Sequence, residues 1–228
     1  MFVVDVSGSM APCIDALRAN IEAFIDSLSR GDGNNVAPVR DWRGFYEWAA
    51  ACKLVPACDF AVVPDVIDGS EADNDALAAE WPLPRWFGAP VWHMHESLER
   101  LERLASAWPR VCVGSSGEFA TIGTQAWWGQ IARAMRVVCN DDGQPLVRLH
   151  GLRMLNPEVF TRLPFASADS TNIGRNIGID QTWRGNYMPP NKDMRAAVMR
   201  SRIEAHNAPA RWGFAVPEFQ PADQGSLL

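Results

Sequence analysis

One pattern recurs between residues 59 and 171: a short apolar run ends in polar residues, and a stretch with helical spacing follows. A short apolar strand followed by a helix is the βα unit, and its repetition predicts an α/β fold with a parallel sheet covered on both faces. The runs occupy residues 60–65, 90–96, 110–118, 147–150 and 164–171, and a further run at residues 2–6 brings the candidate strands to six.

The segments between these runs carry helix signals. Apolar spacing predicts helices over residues 42–52, 97–108, 124–138 and about 193–206. Ser70 is a candidate N-cap with acidic residues in the turn that follows, and Asn156 before Pro157 is a typical helix start. The elements therefore alternate along most of the chain.

Polar side chains cluster where the apolar runs end. In parallel α/β folds, chemistry gathers at the carboxyl ends of the strands. The residues placed there by the pattern are Asp65, His93, His95, Ser115, Glu118, His150 and Asp169. The sequence thus predicts a functional edge before any single motif is considered.

The length and composition favour one domain that stays in the cytoplasm. The chain has 228 residues, and no apolar stretch approaches the roughly 20 residues that span a bilayer. Its start lacks the basic segment of a secretory signal. Five cysteines without a C-x-x-C pair predict reduced and mostly buried thiols, with little support for a structural zinc site.

The charge is unevenly distributed along the chain. Residues 1–150 hold 12 Lys+Arg against 20 Asp+Glu, whereas residues 151–228 hold 9 against 7. Any phosphate-facing surface is therefore expected late in the chain, where the candidates are Arg153, Arg175, Arg184, Lys192, Arg195, Arg200 and Arg202. The alternative is an ordinary solvated surface of mixed charge.

Three strand-end groups could do chemistry, and each has a structural alternative. Asp169 could attack an electrophilic sugar carbon or cap a helix. The glycines of the GSSGE segment at residues 114–118 allow close approach to a planar ligand or form a tight turn. His93 and His95 could bind a metal or be hydrogen-bonded histidines, and His150 has the same structural alternative.

A second motif lies at the start of the chain. Asp5, Ser7 and Ser9 follow an apolar run, and their carboxylate and hydroxyl oxygens would suit a magnesium ion. Residues 1–29 resemble the opening strand and helix of a von Willebrand factor A domain. The later loops that complete the metal motif in that family have no counterpart here. We therefore place a linker or fusion seam at residues 30–40.

The region from about residue 39 to residue 212 resembles the tRNA-guanine transglycosylase superfamily, most closely its phage branch that inserts 7-deazaguanines into DNA. Five ordered blocks carry the resemblance, at residues 61–65, 91–95, 114–118, 150–153 and 166–169. It implies a TIM-barrel-like (β/α) domain over residues 41–212, incomplete or irregular, followed by a tail at residues 213–228.

The resemblance also implies base exchange by double displacement in a pentosyltransferase. Asp169 is the implied nucleophile that replaces guanine with a 7-deazaguanine in nucleic acid, DNA being favoured over tRNA, without a cofactor. Arg153 and Arg175 would face phosphate. The residues assigned to the substrate are Asp65, His93, His95, Gly114, Ser115, Ser116, Gly117, Glu118 and His150. A phage-encoded enzyme would act in the host cytoplasm.

Two departures from the family pattern limit this interpretation. The Cys/His zinc site of the tRNA enzymes has no match, so no metal is expected. The first strand lacks the family's acidic motif. Asp5 could replace it as a second catalytic carboxylate; otherwise the enzyme would be inactive.

Two alternative functions stay open: a magnesium-dependent binding module using Asp5, Ser7 and Ser9, and a metal-dependent hydrolase using His93, His95 and Asp169.

Overall fold

The computed structural model describes residues 42–170 and 187–213. The chain divides into two compact units, the first ending at Pro90 and the second beginning at Val91. The region predicted as one barrel, residues 41–212, spans both units. The predicted segment 1–29, the seam 30–40 and nearly all of the tail 213–228 lie outside the described residues, so these boundaries stay predictions.

Over residues 42–90, the first unit contains two helices and a two-stranded parallel sheet in which Ala61 pairs with Gly88. Its elements are α1 (Trp42–Cys52), β1 (Ala61–Val62), α2 (Glu71–Ala79) and β2 (Gly88–Ala89). The Ser70 side chain accepts from the Asp73 N–H, and the Asp73 carboxylate accepts from the Ser70 N–H, which confirms the predicted cap as a full capping box. Strand β2 was not predicted, because two small residues give no hydrophobic periodicity.

The second unit is built on a four-stranded parallel sheet with helices between its strands. Its elements are β3 (Val91–His93), α3 (Leu98–Ala107), β4 (Arg110–Gly114), a 3₁₀ turn (Gly117–Phe119), α4 (Gln125–Val138), β5 (Arg148–Leu152), α5 (Pro157–Phe160), β6 (Ser167–Ala168) and α6 (Lys192–Glu204). The predicted α/β class and the parallel pairing are confirmed. Over the described residues the strands form two open sheets, without a closed barrel.

Two features of the sequence explain helix α4: its N-cap residue and the spacing of its apolar residues. The Thr124 hydroxyl accepts from the Trp127 N–H and satisfies one of the amides that a helix start leaves open. Trp127, Ile131 and Met135 recur at helical spacing and are buried. Burial of each such side chain stabilises the fold by about 1.5–3 kcal/mol. The helix is therefore fixed by its cap and by one apolar face.

The core of the second unit combines helix residues with strand residues from both faces of the sheet. Trp92, Val111, Val113 and Leu149 are buried on one face, and Val91 and Cys112 are buried on the other. The indole of Trp92 donates to the Ser97 carbonyl oxygen at 2.9 Å, so its polar atom is satisfied inside the core.

Within the described ranges, no helix has the length and apolarity needed to cross a bilayer.

Two cysteines of the first unit form a pair that their sequence spacing did not predict. Helix α1 ends at Cys52, and a turn with a 2.9 Å bond from the Cys58 N–H to the Val55 oxygen brings the chain back. A hydrogen bond between the two thiols lowers the pKa of Cys58 and, together with burial, raises that of Cys52. Burial raises the pKa of Cys139 to about 11.

These pKa directions predict an order of thiol reactivity. Thiolate is the reactive form, and an ordinary cysteine has a pKa of about 8.5. We expect iodoacetamide to modify half-buried Cys58 before the buried Cys52 and Cys139 as the pH rises from 6 to 9. Peptide mass spectrometry of timed samples measures this order. Cys52→Ala removes the donor and should slow the modification of Cys58, whereas equal rates at Cys58 and Cys139 would contradict the assignment.

Candidate functional site

The register of the second sheet places the chemically active side chains on one face. His150 pairs with Cys112 on one side and with Ser167 on the other, and His93 pairs with Gly114. Side chains two residues apart on a strand point the same way. Asp169 lies two residues after Ser167, and its N–H continues the ladder by donating to the Gly151 oxygen at 3.1 Å. One sheet face therefore carries both histidines and the carboxylate.

Asp169 is held at the end of β6 by donors from the preceding strand and loop. Its side chain is 3% exposed. Oδ1 accepts from the Arg153 N–H at 2.7 Å, and Oδ2 lies 3.4 Å from Nε2 of His150. The Asp169 carbonyl oxygen also accepts from the Leu155 N–H at 2.9 Å. The carboxylate is thus buried, oriented and hydrogen-bonded.

Arg153 has the only left-handed backbone among the described residues other than glycine, with φ of 61°. This conformation costs an L-residue about 1–2 kcal/mol. The N–H that it directs at Asp169 makes a hydrogen bond to a charged group, which contributes about 1.5–3 kcal/mol and offsets that strain. The Arg153 side chain is exposed, so its backbone serves the buried carboxylate while its guanidinium faces solvent.

The turn after β3 is tied by a buried ion pair. Glu96 Oε2 accepts from the His93 N–H at 2.8 Å and from the Arg100 guanidinium at 2.6 Å. The same guanidinium nitrogen of Arg100 donates to the Val91 oxygen at 2.8 Å. Because both charged side chains are 1% exposed, each depends on the other for compensation. This network fixes where the backbone of His93 ends the strand.

The segment after β4 packs closely against the two histidines. A Cβ on Gly114 would lie 3.3 Å from Nδ1 of His93, so the glycine leaves room for that imidazole. Ser116 is buried, and its hydroxyl lies 2.7 Å from Nδ1 of His95. Ser115 accepts from the Trp127 indole at 2.9 Å, which ties the strand end to α4.

His93 and His95 differ in exposure although their rings are neighbours. The ring centroids are 5.9 Å apart with an interplanar angle of 21°, so the rings stack. His93 is buried, whereas His95 lies beyond the strand and is exposed. Across residues 42–170 and 187–213, no three His, Cys, Asp or Glu side chains are grouped closely enough to hold a metal ion. The alternative metal hydrolase gains no support from this part of the chain.

The structure brings together most of the residues assigned to the site from sequence. His150 was expected at a strand end, but it is the central residue of β5, because that strand continues to Leu152. The others in the second unit lie at the carboxyl ends of strands or in the turns that follow: His93, His95, Gly114, Ser115, Ser116, Gly117, Glu118, Arg153 and Asp169. Asp65 is half-buried and belongs to the first unit. Asp5, Ser7, Ser9 and Arg175 lie outside the described residues, and their roles stay predictions.

Sequence reasoning missed Ser167, whose hydroxyl lies 2.8 Å from Nδ1 of His150. The sequence did indicate that Ser167 belongs to the site, because it lies two residues before Asp169 in a strand and both side chains therefore point to one face. The pairing with His150 depends on strand register, and a single sequence does not specify register between distant segments.

Comparison of the chain with protein-family models gives no match, and neither the curated proteins nor the solved structures include a significantly similar chain. The interpretation of this site therefore rests on its geometry and on the resemblance of its motifs.

Gly117 offers a test of the close packing beside His95. Its φ is 56°, and a Cβ there would lie 2.9 Å from the Cβ of His95. Gly123 also has a positive φ, of 88°, but a Cβ there meets nothing within 4 Å. We expect Gly123→Ala to lower the free energy of unfolding by about 1–2 kcal/mol through backbone strain alone. Gly117→Ala should lower it further.

The measurement is urea unfolding of both variants, together with the NMR shifts of the His95 ring. Gly117→Ala should displace the His95 resonances, whereas Gly123→Ala should leave them in place. Equal losses of stability with unmoved His95 resonances would show that the packing described here is wrong.

Proposed function

We propose that the chain is a base-exchange glycosyltransferase that replaces guanine with a 7-deazaguanine in nucleic acid. The observation that carries this proposal is the buried carboxylate of Asp169, oriented at a parallel strand end by the Arg153 N–H and His150. A carboxylate attacking a sugar carbon divides one difficult substitution into two easier steps, as in retaining glycosidases. The family resemblance points to the same residue.

Strand order supports a barrel as the scaffold of this proposal. The second sheet has the order β3-β4-β5-β6, so each strand lies beside its sequence neighbour. Barrels add strands consecutively in this way, whereas doubly wound sheets reverse direction at a switch point. The barrel is incomplete or irregular in this proposal, because its first strand falls in the atypical N-terminal region.

The proposed reaction has two displacements at C1′ of the target nucleoside. An Asp169 oxygen forms a bond to C1′ as the C1′–N9 bond to guanine breaks, and guanine leaves with a proton. The N9 atom of the incoming 7-deazaguanine then bonds to C1′, loses its proton and releases the carboxylate. Asp5 is the proposed proton-transfer group. Exclusion of water from the site protects the covalent intermediate.

The strand-end residues supply the proposed base pocket. The exposed ring of His95 stacks on buried His93 and leaves its other side for a purine, since aromatic faces bind bases by stacking. Gly114 and Gly117 are proposed to shape this pocket by leaving room for the His93 imidazole and for His95. Ser115, Ser116 and Glu118 are proposed to contact the edge of the base.

DNA is the proposed substrate in preference to tRNA, because the chain lacks the Cys/His pattern of the tRNA enzymes. A guanine within a duplex has to be flipped out, which costs a few kcal/mol and is easiest in single-stranded DNA. The exposed guanidinium of Arg153, whose N–H holds Asp169, is a suitable phosphate contact. Arg175 is proposed to contribute from beyond the described residues.

Asp169→Asn tests the nucleophile. An amide cannot form the ester, so we expect base exchange to fall by roughly a thousandfold or more. Single-stranded DNA, duplex DNA and tRNA are incubated separately with isotopically labelled guanine or a 7-deazaguanine, and nucleoside mass spectrometry measures incorporation. Intact-mass spectrometry under denaturing conditions should detect a nucleic-acid adduct on the wild-type protein alone.

Asp142→Asn is the matched control, since Asp142 is exposed in a turn before β5. It should exchange bases at the wild-type rate. The proposal is wrong if the wild-type protein exchanges no base and forms no adduct with any of the three nucleic acids, or if Asp169→Asn exchanges as fast as the control.

Arg153→Gly separates the side chain from the backbone at this position. Glycine adopts a positive φ without strain and keeps the N–H to Asp169, so stability should be unchanged or higher by up to about 1 kcal/mol. Loss of one phosphate contact should weaken DNA binding and lower the slope of log K against log salt concentration by about 1. Fluorescence anisotropy with labelled DNA over a salt series measures both.

Arg136→Ala removes an exposed positive charge from the last turn of α4, away from the strand ends, and is the control for general electrostatics. If Arg136→Ala changes the salt slope as much as Arg153→Gly does, the phosphate contact is not at Arg153.

A further inference from the structure

Three residues of the β5–β6 strand pair form a continuous polar chain. The Ser167 hydroxyl lies 2.8 Å from Nδ1 of His150, and Nε2 of His150 lies 3.4 Å from Oδ2 of Asp169. Strand register holds the first two opposite each other. His150 is 1% exposed, and Asp169 is 3% exposed. The imidazole is therefore fixed between a hydroxyl and a carboxylate.

This arrangement determines which nitrogen of the neutral imidazole carries the proton. An ionised carboxylate only accepts hydrogen bonds, so the nitrogen facing Asp169 has to be the donor. Nδ1 is then the acceptor, and Ser167 has to donate its O–H to it. The opposite tautomer would aim the lone pair of Nε2 at the carboxylate, which is repulsive in a buried site.

We infer that His150, held as its Nε2–H tautomer by Ser167, is a positioning residue that orients the Asp169 carboxylate. Its catalytic role rests on the proposed function. The Arg153 N–H fixes Oδ1 with a short bond, and the longer contact from His150 steadies Oδ2. Two anchors from different directions stop rotation of the carboxylate, while the more weakly held Oδ2 keeps its lone pairs for attack on C1′. No proton is transferred in this role.

A matched pair of substitutions tests the positioning role. The amide nitrogen of glutamine can reach the position of Nε2, whereas that of asparagine reaches only the position of Nδ1. We expect His150→Gln to keep kcat for base exchange within about tenfold of wild type and His150→Asn to lower it roughly a hundredfold, as for other residues that orient a reacting group. KM for the nucleic acid should be unchanged in both.

Ser167 provides a second pair. Ser167→Ala should lower kcat about tenfold, and Ser167→Thr, which keeps the hydroxyl, should restore it. A raised KM at unchanged kcat in the His150 variants would make His150 a substrate contact and overturn the inference. Labelling of Ser167 by a fluorophosphonate would overturn it as well, because Ser167 would then be a nucleophile in a hydrolase.

The tautomer itself can be measured without any activity. Nitrogen-15 NMR of the wild-type protein should show a protonated Nε2 and an unprotonated Nδ1 at His150, and the signals should be absent from His150→Gln, which assigns them. Thermal unfolding checks that each variant folds. The Nδ1–H tautomer would overturn the inference even if base exchange occurs. The Nε2–H tautomer in a protein without base exchange would overturn the proposed function and, with it, the catalytic role of His150.

Discussion

The arrangement of this site depends on the register of four parallel strands. Because alternate residues share a face, the pairing of His93 with Gly114 and of His150 with Ser167 determines which side chains meet. A slip of one residue in β6 would turn Ser167 and Asp169 to the opposite face and leave the buried imidazole of His150 facing Ala168 or Ala166. Such a slip would also take Asp169 and the buried imidazole of His150 away from the groups that they contact, Arg153 and Ser167 among them. Leaving buried polar groups without partners is costly, and this cost opposes the slip.

The polar face is itself arranged so that buried charge is compensated locally. Asp169 receives a backbone N–H from Arg153, and Glu96 receives the Arg100 guanidinium together with the His93 N–H. Both carboxylates lie at strand ends, and each accepts from the backbone and faces a side chain that can donate to it. A buried carboxylate without such donors would be costly enough to take up a proton. The two acids differ in their surroundings, since Glu96 ties the turn after β3 whereas Asp169 is held between the Arg153 N–H and His150.

Local signals in the sequence were sufficient for the elements and for many of the site positions. The helix at residues 42–52 and the caps at Ser70 and Asn156 follow from side-chain chemistry within a few residues, and the structure has them. The position of Asp169 at a strand end followed from the same pattern. The Ser167–His150 contact, the left-handed backbone of Arg153 and the Cys52–Cys58 pair were missed, because they arise from strand register or from loop closure. Two-residue strands such as β2 were missed because they are too short to show a period.

The backbone donor at Arg153 has a consequence for how this site can change over evolution. Every amino acid except proline supplies an N–H, so the anchor of Asp169 survives almost any substitution at position 153. The left-handed φ restricts that freedom mainly to glycine, asparagine, aspartate and unbranched residues. Within that set, the side chain at position 153 can be substituted without loss of the hydrogen bond to Asp169. Selection can therefore change the charge that the loop offers to a ligand while the orientation of the buried carboxylate is inherited unchanged.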